Sequence, residues 1–321
     1  MLKGRLIASA LALAILSSAA QAADKYPDRT VRIVVPYPPA GVTDVVGRII
    51  ADQLGKRLGQ TFIVENRAGA AGMTGSDNVA KSAPDGYSIL MGSVANTTLP
   101  AVYTHVPYDL NKDLAPLCQV ISIPNFMVVG ANSPYKTVKD IIAAAKANPG
   151  KLTFASSGVG ASPHLSSELF KVMTGTDMVH VPYKGSGPAQ IDLIAGRVSM
   201  MFDNASLPQV KAGQLRALAV SSPKRFSAAP DIPTVAEAGV PGYAVTSWYG
   251  LWVPKGTPQP IIDMLDKNIT EIFQDKSVQD KIMNLGGETQ VVCGKEFQTF
   301  IDAELVRWEK LVNEAHLKVK N

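Results

Sequence analysis

Val31-Arg32-Ile33-Val34-Val35-Pro36-Tyr37-Pro38-Pro39-Ala40-Gly41-Val42-Thr43-Asp44 is the stretch that decides the fold. Its first five residues are mostly β-branched, which suits a buried strand. Pro36 to Gly41 forms a Pro/Gly turn. Val45, Val46, Ile49, Ile50 and Leu54 then recur at the spacing of one helix face, with Thr43 placed to cap a helix running to about Leu58. Strand, stiff turn, helix is the opening unit of an α/β sheet. Such sheets bind ligands at the carboxyl ends of their strands.

The same alternation continues outward. A strand is expected at 61–65, a Gly/Ala-rich loop with a helix ending near Ser82, and a strand at 87–91. The apolar stretch from Cys118 to Gly130 contains Pro124 and is too long for one ordinary strand, so it reads as a crossing between lobes. Helices at 137–147, 162–174 and 187–195 then alternate with strands at 152–155, 178–181, 199–203 and 215–220. A proline-rich connection, 223–241, leads into a second long extended stretch, 243–253. Helices at 258–274, 277–285 and 295–317, with a strand at 288–292, complete the chain. The expectation is an α/β protein of two lobes, with mostly parallel sheets and helices on both faces. Lobe 1 would be 23–122 plus 246–321 and lobe 2 would be 123–245, with the two crossings as a hinge.

Composition agrees with this reading. The chain has 321 residues, 46% hydrophobic and 18% charged, which is globular composition with room for two domains. Net charge is +4. Lys3 and Arg5 precede any acid, and no block of five basic residues occurs, so a nucleic-acid surface is not expected. Residues 1–22 read as a secretory leader: Lys3 and Arg5, an apolar core from Leu6 to Leu16, and Ala20-Gln21-Ala22 as the cleavage site. That core is too short to span a bilayer of roughly 30 Å. The mature chain is expected to be exported, soluble and monomeric. Cys118 and Cys293 both sit in apolar, strand-like settings. An oxidising compartment permits a bridge, and two separate buried thiols fit equally well.

Catalytic signatures are absent. The four histidines, His105, His164, His180 and His316, accompany no GxSxG, HExxH or GxxxxGK[ST] pattern. No metal site, cofactor or enzymatic activity is expected. Ser162 and His164 are the best hydrolytic pair, but two residues apart on a helix they face different sides.

The chain is instead rich in small-residue loops at strand ends. The loop from Pro38 to Asp44 opens a helix, whose free N–H groups attract anions. Gly92-Ser93-Val94-Ala95-Asn96-Thr97-Thr98 follows the third strand. Ser156-Ser157-Gly158-Val159-Gly160-Ala161-Ser162-Pro163-His164 repeats the pattern in lobe 2, with Ser162 as expected N-cap and Pro163 at the first helical position. Tyr183-Lys184-Gly185-Ser186-Gly187-Pro188 is the fourth loop. Asp203, at a strand end, either faces the same cleft as an acceptor or caps a helix near Leu207. Together these loops suit a small carboxylated ligand held between lobes by amides and hydroxyls.

In order and spacing, several segments resemble the Bug-type receptors of tripartite tricarboxylate transporters, a family of periplasmic solute-binding proteins. They are Pro36 to Asp44, Glu65-Asn66-Arg67-Ala68-Gly69-Ala70-Ala71-Gly72, Pro84-Asp85-Gly86-Tyr87 and Ser157-Gly158-Val159-Gly160 with Pro163-His164-Leu165. His180-Val181-Pro182-Tyr183-Lys184-Gly185, Met201-Phe202-Asp203, Pro233-Thr234-Val235-Ala236-Glu237 and Gly250 to Pro254 continue the match. The resemblance implies a two-lobed, hinge-bending Venus flytrap fold, a small organic carboxylate as ligand and delivery to membrane permease subunits. A ligand-sensing role toward a membrane sensor protein and, more remotely, an exported hydrolase are the alternatives. Mapped onto this chain, the ligand residues would be Tyr37, Pro39, Ala40, Gly41, Thr43 and Asp44, then Ser157, Gly158, Ser162 and His164, with Lys184, Gly185 and Asp203. Ser93, Ala95 and Asn96 join them from the loop after the third strand. Ala40 stands where the family usually has glycine, and Tyr37 where it usually has phenylalanine.

Overall fold

A computed structural model of the chain describes residues 26–183 and 185–318. The expected leader at 1–22 and the Lys184 contact lie outside these residues.

The chain first builds β1 (Val31–Val35), α1 (Val42–Leu58), β2 (Phe62–Asn66), α2 (Met73–Ala80), β3 (Ser88–Ser93), α3 (Ala95–Val102), α4 (Leu110–Asp113) and β4 (Leu114–Pro124). It then lays down β5 (Phe126–Gly130), α5 (Val138–Ala147), β6 (Thr153–Ser156), α6 (Ser162–Thr174), β7 (Val179–Pro182), α7 (Ser186–Ile194), β8 (Met200–Asp203), α8 (Leu207–Lys211) and β9 (Leu215–Val220). It ends with β10 (Thr246–Pro254), α9 (Gln259–Gln274), α10 (Lys276–Asn284), β11 (Glu288–Cys293) and α11 (Gly294–Glu314).

Two sheets result. A six-stranded sheet has the order β11-β4-β10-β3-β1-β2, and a five-stranded sheet the order β7-β6-β8-β5-β9. The chain passes from the first to the second at Asn125, between β4 and β5, and returns between β9 and β10.

Both sheets are mixed, which corrects the expectation of mostly parallel pairing. β1 runs parallel to β2 and β3, and β6 parallel to β7 and β8. β10 is antiparallel to β3 and β4, β11 to β4, and β5 to β8 and β9. The physical reason lies in the crossings. A strand that begins where the chain enters a sheet runs away from the edge at which that sheet's own strands end. Phe126, the first residue of β5, therefore pairs with Asp203 and Val220, the last residues of β8 and β9.

The local chemistry explains the elements. The apolar face of α9, Ile261, Leu265, Ile269 and Ile272, is buried at helical spacing. It joins α1 residues Val46, Ile50 and Leu54 against Ile33, Val35 and Leu251 of the first sheet. Gly47 lets α1 lie close to β1, since a Cβ there would sit 3.1 Å from Val35 Cγ2. A second apolar cluster joins Val34, Leu90, Trp248, Trp252, Phe297 and Trp308 to Met127, Phe154, Phe202 and Tyr243 of the second unit. Thr137 and Asp140 form a capping box on α5.

Three local readings are corrected. Thr43 does not cap α1: Gly41 stands at the cap position without a side-chain bond, and Thr43 is buried in the first turn. Ser162 is the first residue of α6, after Ala161 at the cap position. Its Oγ accepts from Asn125 Nδ2 at 2.7 Å and caps nothing. The stretch 92–98 is not a loop throughout, because α3 begins at Ala95. There, Gly92 makes room for Asn96 Oδ1, which would lie 2.4 Å from an added Cβ.

Cys118 and Cys293 form a disulfide joining β4 to the edge strand β11, across 175 residues of chain. Removing it, as in Cys118→Ala/Cys293→Ala, is expected to lower stability by about 2–5 kcal/mol, read from urea unfolding of wild type and variant. An unchanged midpoint would show that the bridge contributes nothing.

Candidate functional site

A cavity of about 370 Å³ lies where strands of both sheets end. The first sheet and its helices contribute Tyr37, Thr43, Ala71, Ser93, Val94, Ala95, Leu99, Ser247 and Tyr249. The second contributes Ser157, Gly158, Val159, Gly160, Ala161, Ser162, Pro163 and Asn204. Asn204 Nδ2 donates to Ser247 Oγ at 3.2 Å, joining the two sets.

The lining holds no lysine, arginine, histidine, aspartate or glutamate among the described residues. Its electrostatics come from the backbone. Thr43 is in the first turn of α1, Ala95 opens α3 and Ser162 opens α6, so three helix starts meet at one cavity. First-turn N–H groups of a helix lack the intrahelical acceptors of later turns. In α3, Ala95 N is served by Ser93 Oγ and Thr97 N by Val94 O, and in α6 Pro163 has no N–H. Each helix start carries partial positive charge. Three together favour an anion without a cationic side chain. The hydroxyls of Tyr37, Thr43, Ser93, Ser157, Ser162 and Ser247 add short-range donors and acceptors. Tyr37 Oη and Ser93 Oγ are 3.0 Å apart. Burial pushes the Tyr37 hydroxyl up to about 12, so it keeps its proton at neutral pH. Burial, followed by the neighbouring Tyr37, likewise raises Tyr249.

Of the residues expected at the site, Tyr37, Thr43, Ser93, Ala95, Ser157, Gly158 and Ser162 line this cavity. Pro39, Ala40 and Gly41 form the exposed turn before α1 and do not line it. Four polar residues brace the loops from inside. Asp44 is 3% exposed and accepts from Ala40 N, from Arg48 and from Asn66 Nδ2. Burial works to raise its carboxyl, but those bonds hold it below the ordinary range. Asn96 Oδ1 accepts from Ser93 N, and its Nδ2 donates to Ser76 and Tyr108. Asp203, wholly buried, accepts from Ser186, Gln190 and Ser206. It therefore secures the starts of α7 and α8 and does not face the cavity. Gly185 is at the cap of α7 with φ +111°, its N–H on Ser157 O.

His164 also points inward. Its Nδ1 accepts from Gly160 N at 3.2 Å, and its ring lies 4.2 Å from that of His180, which stacks on Phe154 at 4.8 Å. His180 Nε2 is 2.7 Å from the buried Ser156 Oγ. Ser162 faces the cavity while His164 faces this stack, so the two make no nucleophile–base pair. Burial is the main cause that lowers His164 to about 3 and His180 to about 4. Both rings are neutral at pH 7, and a neutral Nδ1 is what lets His164 hold the Gly160 amide.

Ala71, Leu99, Asn204, Ser247 and Tyr249 line the cavity from outside the four loops. Ala71 lies in the Glu65–Gly72 segment already singled out, and Asn204 directly follows Asp203. The signal for the return strand was its period of two: Ser247 and Tyr249 face the cavity, while Trp248 between them packs on Phe297 and Phe300.

Two sheets joined by two crossings, with a ligand-sized cavity walled by helix starts from both, define a solute-binding protein. Residues 46–317 match the tripartite tricarboxylate transporter family receptor, TctC. The chain is 38% identical over 306 residues to Protein BugT of Bordetella pertussis (strain Tohama I), spanning 93% of each. In solved structures it is similar to R. palustris Rpa4515 with adipate: 37% identity, TM-score 0.81, covering 91% of this chain and 98% of that one. It is also similar to MatC from Rhodopseudomonas palustris with bound malate: 30% identity, TM-score 0.75, covering 89% and 100%. The chain belongs to this receptor family.

Two predictions come from the loop geometry. Ala40 has φ +71°, a conformation that costs a non-glycine residue about 1–2 kcal/mol. Allowing for the greater freedom of glycine in the unfolded chain, Ala40→Gly is expected to raise stability by about 0.5–1 kcal/mol in urea unfolding; a loss would contradict the strain. The histidines give a pH dependence. The unfolded chain takes up protons near the ordinary histidine value of 6.5, and the folded pair refuses them until about 3–4. Stability from these rings is therefore complete above pH 6.5 and falls with acidification below it, by up to about 1.4 kcal/mol per pH unit per ring. Histidine NMR should show both rings neutral at pH 5.5; a ring titrating near 6.5 would contradict the buried stack.

Proposed function

We propose that this protein is an exported, monomeric receptor whose leader is cleaved after Ala22. It captures a small organic dicarboxylate in the periplasm and hands it to the membrane subunits of a tripartite tricarboxylate-type transporter. It is not an enzyme and takes no cofactor. The observation that carries this reading is the meeting of three helix starts, from both sheets, in one cavity whose described residues include no charged side chain. An acid with a carboxylate at each end gives each side an anion to hold. Residues 23–122 with 246–321 would move as one lobe and 123–245 as the other, bending at Asn125 and near 221–245. Closure is favoured because the ligand then touches both lobes at once. The relatives solved with adipate and with malate support a dicarboxylate of this size.

A thermal-shift screen of the mature chain against mono-, di- and tricarboxylates and amino acids tests this. A dicarboxylate at about 100 times its Kd should add about 2.7 kcal/mol of stability. Tyr37→Phe and Ser157→Ala should each weaken binding about tenfold in calorimetry, as expected for a lost bond to a charged ligand. A flat response to every acid would overturn the proposal.

A further inference from the structure

The first crossing turns on one residue with no exposed surface, Asn125. Its backbone is tied to the second crossing: Asn125 N donates to Ser221 Oγ at 2.8 Å, and Ser221 N donates to Asn125 O at 2.8 Å. Ser221 Oγ in turn donates to Val245 O at 2.5 Å, and Val245 N donates to Ser221 O at 2.7 Å. Outgoing and returning chains are thus pinned at one buried point. The side chain of Asn125 leaves this point in the other direction. Nδ2 donates to Ser162 Oγ at 2.7 Å and to Ser166 Oγ at 2.9 Å, both on the first turns of α6. Oδ1 is buried and has no hydrogen-bond partner among the described residues.

Hydrogen-bond bookkeeping at Ser162 gives this arrangement a meaning. A hydroxyl has one proton and two lone pairs. The amide of Asn125 occupies a lone pair, and Ser162 Oγ makes no other hydrogen bond among the described residues. Its proton has no acceptor there except what enters the cavity that Ser162 lines. The opposite orientation of the amide would leave an N–H group orphaned in the interior, the rarer and costlier defect.

We propose that Asn125 is a positioning residue that presents Ser162 to the ligand as a hydrogen-bond donor and links that contact to the hinge. This inference rests on the carboxylate reading. A donor so fixed favours a ligand oxygen that only accepts, which is what a carboxylate offers. A ligand bound to Ser162 is then one side-chain bond away from the residue about which the lobes turn.

The test is a double-mutant cycle on binding. Wild type, Asn125→Ala, Ser162→Ala and the double variant are titrated calorimetrically with whichever of malate, succinate, adipate and phthalate the wild type binds most tightly. Ligand-free melting temperatures are recorded alongside. If Asn125 acts through Ser162, Asn125→Ala weakens binding about tenfold in the wild-type background and less than about threefold when Ser162 is already alanine. A purely structural role would lower the melting temperature and leave the two losses equal, which overturns the inference. Should Asn125→Ala not fold, Asn125→Asp replaces it in the same cycle. That carboxylate keeps the shape of the amide and cannot donate when ionised, and its long-range charge acts in both backgrounds and cancels. Failure of the wild type to bind any of the four acids overturns the carboxylate reading and this inference with it. Binding with an additive cycle overturns this inference alone.

Discussion

A peptide N–H at the start of a helix has no acceptor in its own helix, and the site is organised around that shortage. α1, α3 and α6 each begin at the same cavity, and the short loops before them keep those beginnings close. In α3, Ser93 Oγ and Val94 O already serve two of these amides. The others are left to water or an anion, and the described residues of the cavity wall offer hydroxyls and no fixed counter-ion. A lysine or arginine would attract a carboxylate more strongly, but it would also bring its own need for a partner when the cleft is empty. Amides and hydroxyls are neutral in both states, so they leave no charge uncompensated in the empty cleft.

The second layer of the site exists to hold these loops still. Asp44 gathers Ala40, Arg48 and Asn66; Asn96 gathers Ser93, Ser76 and Tyr108; Asp203 gathers Ser186, Gln190 and Ser206; and His164 holds Gly160. Each is a buried polar side chain bonded to a loop, and the networks they form are costly to break one member at a time. Their electrostatic contribution is geometric: they keep the amides aimed.

This separation explains what the sequence could and could not convey. The β-branched run at 31–35 and the periodic apolar residues of α1 and α9 each specify an element directly, and the alternation of such elements specifies an α/β protein with two crossings. The pairing direction of β5 and β10 was not legible, because hydrophobicity along a strand is the same whichever way the strand runs. At the site, the loops were legible from their small residues and strand-end positions. The direction of each polar side chain was not. Asp44, Asn96, His164 and Asp203 look like ligand contacts in a linear reading, and only the fold turns them inward. Conversely Ser247 and Tyr249 sit in an apolar stretch without any loop character, so only the period of two could have placed them. The pairing of Cys118 with Cys293 needed β4 and β11 to be neighbours, which neither local context reveals.

The strand order has a further consequence for how the chain is made. β10 lies between β3 and β4, yet it is synthesised only after every strand of the five-stranded sheet. Until residue 246 is available, the early strands have an unfilled gap between them, while β5 to β9 already contain all their own neighbours. The middle sheet therefore has all its strands before the first sheet does, although part of its core still awaits Trp248, Trp252 and Trp308. An export route that delivers the polypeptide end first would complete the strand set of the later-made sheet ahead of the earlier one, with the opening segment waiting, edges bare, for its last partner to arrive.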